Sequence, residues 1–190
     1  MKNWNGKPML IKPSKLRKFK KVISLINRGG SLLDVGCGNG LFHELISKKT
    51  YDSIDAFDYT PEYITEAILK YPFINYTVHD ACLPFPYKKK FDIITCVEVL
   101  EHVPAPYLVV KNMYDVCSKY GICIISTPNA LWYEIKYHND LGYTAGDYNF
   151  QYLSPVVLIS MMNKAGFVVD YSSNRHLGKI RHIFVRGVKI

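Results

Sequence analysis

The sequence predicts an α/β domain built on a doubly wound, mainly parallel sheet, and two observations carry that prediction. Short strand-like apolar runs alternate along the chain with longer runs whose apolar positions recur at helical spacing. After the first strand-like run comes "LLDVGCGNG", Leu32 to Gly40, with three glycines on alternate positions behind an aspartate. Strands alternating with helices pair in parallel and need helices on both faces. A strand that feeds a glycine turn and then a helix presents backbone amides to a ligand.

The first element expected is a helix capped by Ser14, with Leu16, Phe19, Val22, Ile23 and Ile26 on one stripe and Gly29 and Gly30 at its end. Lys15, Arg17, Lys18, Lys20 and Lys21 occupy its other positions. Strand-like runs follow at "SLLDV", "DSIDAFD", "INYTVHD", "FDIITCVE", "YGICIIST", "FVVDYSS" and "HIFVRGV". Helices at "LFHELISKK", "PEYITEAILKY" and "PYLVVKNMYDVCSKY" separate the first five, except across the Pro-rich loop from Ala81 to Lys90. The last two runs, joined by "SSNRHLGKIR", read as an antiparallel pair at one end of the sheet. Before them, Ser154 caps a helix that has Pro155 at its first position and Gly166 as its left-handed closing residue. Residues 128–153 mix Trp132, Tyr133, Tyr137, Tyr143, Tyr148, Phe150 and Tyr152 with Gly, Asn and Asp, the composition of a substrate lid. No linker or repeat divides residues 1–190, so they read as one domain with a basic N-terminal helix region at 1–30.

Apolar residues make up 48% of the chain, enough for a packed core, yet no run approaches the ~18 residues a membrane span needs. The first residues carry charge without an apolar signal-peptide core. Cys37, Cys82, Cys96, Cys117 and Cys123 are scattered and odd in number, which predicts free thiols and a cytoplasmic protein. The net charge of +8 is uneven: nine Lys or Arg precede Asp34 and five follow Asp170, with no acid in either end. Such ends are either solvated helix surface or a cationic surface for nucleic acid, anionic lipid or an acidic substrate.

The loop reads D-x-G-x-G-x-G over Asp34, Gly36, Gly38 and Gly40, not the G-x-G-x-x-G of a nicotinamide-dependent oxidoreductase. The second strand ends at Asp58, where a carboxylate can accept from ribose hydroxyls, and the third ends at Asp80, followed by Ala81 and Cys82. The fourth delivers Glu98. These residues converge on the crevice outside the strand ends, where open α/β sheets bind ligands.

"LLDVGCGNG", "FDYTPEYI", "HDACLPFP", "FDIITCVEVLEHV" and "ISTPNALWY" resemble, in order and spacing, the motifs of class I S-adenosylmethionine-dependent methyltransferases. The resemblance spans about Leu32 to Phe167 and implies a Rossmann-like, seven-stranded sheet with the last strand antiparallel. It also implies S-adenosyl-L-methionine as methyl donor. Asp34, Gly36, Cys37, Gly38 and Gly40 would surround the methionine moiety, with Asp58 and Tyr59 at the ribose. Asp80 and Ala81 would meet the adenine, and Val97 and Glu98 would lie under the sulfonium.

If a helical turn starts at Glu98, then Glu98, Glu101 and His102 share one face beside the reacting methyl, with His102 the base and Glu101 its partner. "EVLEHV" also resembles ubiquinone-biosynthesis O-methyltransferases, which implies a catechol acceptor and a divalent ion such as Mg²⁺ on Glu98, Glu101 and His102. Small-RNA 2′-O-methyltransferases share E-x-x-E-H and a T-P-N segment like Thr127–Asn129, but Tyr148 stands where their metal-binding histidine would be. Trp132, Tyr133, His138 and Tyr148 are the candidate substrate contacts, whereas His79, His176 and His182 read as surface or strand-end residues. The expected function is methyl transfer to an oxygen, or a nitrogen, of a small aromatic or isoprenoid-like molecule. The alternatives are an RNA-directed enzyme using the basic termini and a non-catalytic cofactor-binding subunit. "STPN" in place of N/D-P-P-Y/F argues against adenine amino-methylation.

Overall fold

The computed structural model describes residues 11–46, 51–131, 153–173 and 181–190. Trp132, Tyr133, His138 and Tyr148, and with them most of the expected lid, lie outside the described residues.

Seven strands form one sheet: β1 (Ser31–Val35), β2 (Ser53–Asp58), β3 (Asn75–Val78), β4 (Phe91–Val97), β5 (Cys117–Pro128), β6 (Phe167–Ser172) and β7 (His182–Lys189). Their order is β3-β2-β1-β4-β5-β7-β6. β3, β2, β1, β4 and β5 pair in parallel, while β7 runs antiparallel to both of its neighbours. The short connection predicted the antiparallel pairing of the last two strands. That β7 slots between β5 and β6 is the inserted antiparallel last strand that the methyltransferase resemblance implies. The chain winds outward from β1 to β3 and then returns to β4 on the other side of β1. That reversal opens a crevice at the carboxyl ends of β1 and β4.

Successive residues of the central strands point to opposite faces. Leu33, Ile94 and Ile125 face α4 (Pro106–Val116) and α5 (Pro155–Ala165). Leu32, Ile93 and Ile124 face α1 (Pro13–Leu25), α2 (His43–Ile46) and α3 (Pro61–Lys70). Both faces of the sheet are therefore covered, which is why its central strands read as continuous apolar runs.

α5 forms as its residues dictate. Ser154 Oγ accepts from the Val157 N–H at 3.3 Å, Pro155 opens the helix, and Gly166 closes it at φ +113°. α1 departs from expectation at both ends. Pro13, not Ser14, sets its first turn, behind Lys12, which makes no side-chain cap bond. The helix stops at Leu25, and Gly30, at φ +116°, only turns the chain into β1. Phe19, Val22 and Leu25 are its buried stripe, with Phe19 against Phe42 at a ring separation of 5.2 Å. Arg186 donates to the Leu25 carbonyl at 3.0 Å and fixes the far end of α1 to β7. α4 is also shorter than expected. After Val116 the chain joins β5 through an irregular pairing in which Tyr120 has φ +62°.

All five cysteines are unpaired thiols, as expected, with Cys37, Cys96, Cys117 and Cys123 buried. Among the described residues no helix is long and apolar enough to cross a membrane.

Candidate active site

The glycine loop leaves β1 with Gly36, Gly38 and Gly40 all at positive φ (+69°, +52° and +76°). A Cβ at Gly36 would collide with the Val99 side chain, because the loop after β4 presses against the turn here. A Cβ at Gly38 would meet no atom within 4 Å. The backbone thus offers an open face at Gly38 for a group that must lie directly against it, which fits the cofactor implied by the motifs. Cys37 sits between them, its N–H donating to the Phe57 carbonyl at 2.9 Å. Burial, reinforced by Asp34 and Asp58, pushes its thiol far above the ordinary range, which favours the neutral form over the reactive thiolate.

Asp34 is 2% exposed. It accepts from the Thr95 hydroxyl at 2.6 Å and pairs with His43 Nε2 at 3.0 Å. His43 is fully buried, and its Nδ1 lies 2.7 Å from the Tyr76 hydroxyl. This chain of polar groups braces the floor of the loop. The helical pattern of "LFHELISKK" gave no sign that a histidine on it would turn inward.

Asp58 accepts from the Gly38 N–H at 2.8 Å and the Thr60 N–H at 2.9 Å, and Asp80 accepts from the Cys82 N–H at 2.8 Å. Both carboxylates therefore cap turns at their strand ends. Tyr59 beside Asp58 is 74% exposed, and Ala81 is buried in the core. None of these four residues lines the cavity described next.

That cavity, about 440 Å³, opens at the carboxyl ends of β1 and β4. Asp34, Gly36, Cys37, Gly38, Val97, Glu98, Glu101 and His102 line it, joined by Lys15, Lys18 and Phe19 of α1 and by Arg181 and His182. Lys18 and His182 are the functional candidates that motif reading missed. Their only sequence signal was the acid-free, basic character of the two chain ends.

The expected helical face starting at Glu98 does not form. Glu98 adopts φ +59°, and its N–H extends the ladder to the Ser126 carbonyl at 2.9 Å. The 3₁₀ turn begins only at Leu100. The Glu98 carboxylate accepts from Ser126 Oγ at 3.0 Å, from Lys18 Nζ at 2.5 Å and from His182 Nε2 at 3.1 Å. Burial raises its pKa, but the hydrogen bond and charge of His182 and the charge of Lys18 outweigh that and hold it below the ordinary glutamate range. Glu101 behaves oppositely. Burial, then repulsion from Glu98, pushes it up to about 8, and its Oε2 accepts from the Thr127 hydroxyl at 3.0 Å. His102 Nε2 stands 3.8 Å from Glu101 Oε1, with its side chain half-exposed toward the cavity.

These contacts do not support a divalent ion on the residues the sequence offered for one. Glu98 already serves an ammonium, an imidazole and a hydroxyl, so Glu98, Glu101 and His102 do not fit a divalent ion. Among the described residues no group of three or more His, Cys, Asp or Glu is arranged to hold one.

Comparison with known proteins agrees with the geometry. A family model described as "Methyltransferase domain" matches residues 11–172, most of the chain. The ubiquinone biosynthesis O-methyltransferase of Coxiella burnetii is 35% identical over 137 residues, covering 66% of this chain and 56% of that protein. Its counterpart from Psychrobacter arcticus is 31% identical over 108 residues, covering 53% of this chain and 42% of that protein. The chain thus spans about half the length of the curated relatives it matches. Among solved structures, the magnesium protoporphyrin IX methyltransferase of Synechocystis PCC 6803 with bound SAH superposes with a TM-score of 0.74 at 15% identity, covering 97% of this chain and 90% of that one. An S-adenosylmethionine-dependent methyltransferase of Clostridium acetobutylicum gives 0.73 at 15% identity, covering 94% and 92%. With the matching family model, the seven-stranded order and the open glycine loop in agreement, this chain belongs to the class I S-adenosylmethionine-dependent methyltransferases.

Proposed function

We propose that this chain transfers a methyl group to a hydroxyl oxygen, or a nitrogen in its place, of a small aromatic or isoprenoid-like molecule. The observation that carries the reading is one cavity in which the open glycine loop, Glu98 and His102 meet. The names of the ubiquinone-biosynthesis relatives support oxygen as the acceptor atom. S-adenosylmethionine, when bound, supplies an electrophilic methyl group, which makes the chemistry an in-line displacement.

The chain's own residues then have three tasks. The loop from Gly36 to Gly40, braced from below by Asp34, holds the methionine end of the donor. Asp58 and Asp80 stand at the neighbouring strand ends to meet the ribose and the adenine. His102 accepts the proton of the acceptor hydroxyl, with Glu101 behind it as the group that orients its ring. Phe19, Leu41 and Phe42 give the cavity an apolar wall that excludes water.

Incubation of the full chain with S-adenosylmethionine and a panel of catechols and prenylated phenols should yield S-adenosylhomocysteine and methylated product by mass spectrometry. His102→Ala should lower turnover about 100-fold or more while leaving S-adenosylhomocysteine affinity unchanged. Intact cofactor binding with no turnover on any oxygen or nitrogen acceptor would instead mark a non-catalytic subunit. Asp58→Ala frees the Gly38 and Thr60 amides as well as removing the ribose acceptor. It should weaken S-adenosylhomocysteine binding about tenfold or more by calorimetry, at a stability loss of about 1–2 kcal/mol.

A further inference from the structure

We propose that His43 is a positioning residue of the donor site, which fixes the Asp34 carboxylate from below so that it receives the ammonium of the donor's methionine end. The inference rests on the reading that the glycine loop and Asp34 hold that end.

His43 opens α2, directly after the glycine loop, and is fully buried. Its backbone N–H donates to the Gly40 carbonyl at 3.0 Å, which ties the residue to the loop itself. Its ring Nε2 stands 3.0 Å from Asp34 Oδ2. A carboxylate only accepts, so the hydrogen is on Nε2. Nδ1 is thereby left for the Tyr76 hydroxyl of β3, 2.7 Å away. Tyr71 meets the ring edge to face, with centroids 6.0 Å apart. A Cβ on Gly40 would lie 3.2 Å from Nδ1 and 3.1 Å from the Tyr71 ring, so the third glycine of the loop also makes room for the imidazole.

Asp34 links this ring to the ligand. It lines the cavity and His43 does not, so the imidazole acts only through the carboxylate. Asp34 Oδ1 accepts from the Thr95 hydroxyl and Oδ2 from His43, and one donor on each oxygen sets the plane of the group. Each oxygen carries a second lone pair with which it can accept from a ligand. Hydrogen bonds of this kind also favour the charged form of a buried carboxylate, the form that attracts an ammonium.

Fold stability alone does not account for the arrangement. A buried carboxylate and its imidazole gain little over apolar side chains of the same size. Phe42 and Ile46 of the same segment are buried and apolar, and a third such residue would fill the place of His43. What an apolar residue would not do is hold a negative charge in a fixed plane at the cavity floor.

The test compares two ligands by calorimetry on the full chain. S-adenosylhomocysteine carries the amino-acid end, whereas methylthioadenosine shares its adenosine and thioether but lacks that end. Wild type is titrated first, and failure to bind S-adenosylhomocysteine would overturn the methyltransferase-site reading itself. His43→Gln places an amide nitrogen near the position of Nε2 and keeps a donor for Asp34. His43→Asn is too short to reach Asp34 and serves only the Tyr76 side. The asparagine variant should bind S-adenosylhomocysteine about tenfold or more weakly, the cost of a hydrogen bond to a charged group, with methylthioadenosine affinity unchanged. The glutamine variant should restore most of the S-adenosylhomocysteine affinity. Urea denaturation runs alongside, since both variants give up the same ring and should lose similar stability. Tyr76→Phe keeps every ring and removes only the hydroxyl at Nδ1. It should shift the ligand preference in the same direction by a smaller factor. Equal weakening of both ligands would reduce His43 to a general brace of the loop and overturn the proposal. So would a glutamine variant as weak as the asparagine one, or a ligand preference unchanged in His43→Asn, or in Tyr76→Phe where the asparagine variant does not fold.

Discussion

Gly36→Ala is expected to abolish S-adenosylhomocysteine binding and to destabilise the fold by about 2–5 kcal/mol. Two effects add. The backbone at φ +69° lies in the left-handed region, which costs a residue with a Cβ about 1–2 kcal/mol. The new methyl would also collide with the Val99 side chain, and rotating that valine still leaves its Cβ 3.2 Å away, so the backbone must give by a few tenths of an ångström. The loop after β1 and the turn after β4 must then separate, an overpacking penalty of about 1–3 kcal/mol. That separation moves the two segments that form the cavity wall. Gly38→Ala is the informative companion. Its φ of +52° is strained as well, but its methyl meets nothing within 4 Å and projects into open space. It should lose cofactor affinity with a stability loss of only the backbone cost, about 1–2 kcal/mol. Urea denaturation and calorimetry on the pair separate the roles. A Gly36→Ala protein as stable as wild type would refute the packing argument.

The parts of the molecule legible in the sequence are those set by local pattern. Leu32–Val35 and Ile93–Cys96 read as strands because they are buried on both faces, and the glycine turn was legible because that loop needs three positive-φ residues. The cap of α5 was legible because Ser154, Pro155 and Gly166 act on their own neighbours. What escaped depends on partners distant in sequence. Lys18 meets Glu98 across 80 residues, and His43 reaches Tyr76 on β3 across 33. The spacing of Glu98, Glu101 and His102 suggested one helical face. A ladder bond from Glu98 to Ser126 competes with the helical turn and wins, so Glu98 turns toward Lys18 and His182. Charge asymmetry between the ends and the middle was plain in the sequence. Its convergence on one cavity follows from the placement of β7, which no local pattern reveals.

Glu101→Gln is expected to be more stable than wild type at alkaline pH and nearly indistinguishable from it below pH 5. The folded chain holds the Glu101 carboxyl at about 8, against 4.5 for the ordinary group, through burial and the negative charge of Glu98. Between those two values the native state keeps a proton that the unfolded chain has released. Stability therefore falls as pH rises from about 4.5 to 8 and levels off beyond. Below that window both states are protonated and the residue contributes no pH dependence. A glutamine has no proton to lose, and its side-chain oxygen still accepts from Thr127, so it copies the neutral carboxyl without the alkaline penalty. At 1.36 kcal/mol per pKa unit, moderated by relaxation of the buried site, the variant should gain about 3 kcal/mol over wild type at pH 9. Urea denaturation of both proteins at pH 5, 7 and 9 measures the divergence. Parallel profiles would show that Glu101 is ionised in the folded state throughout, and that its place behind His102 does not depend on the carboxyl being neutral.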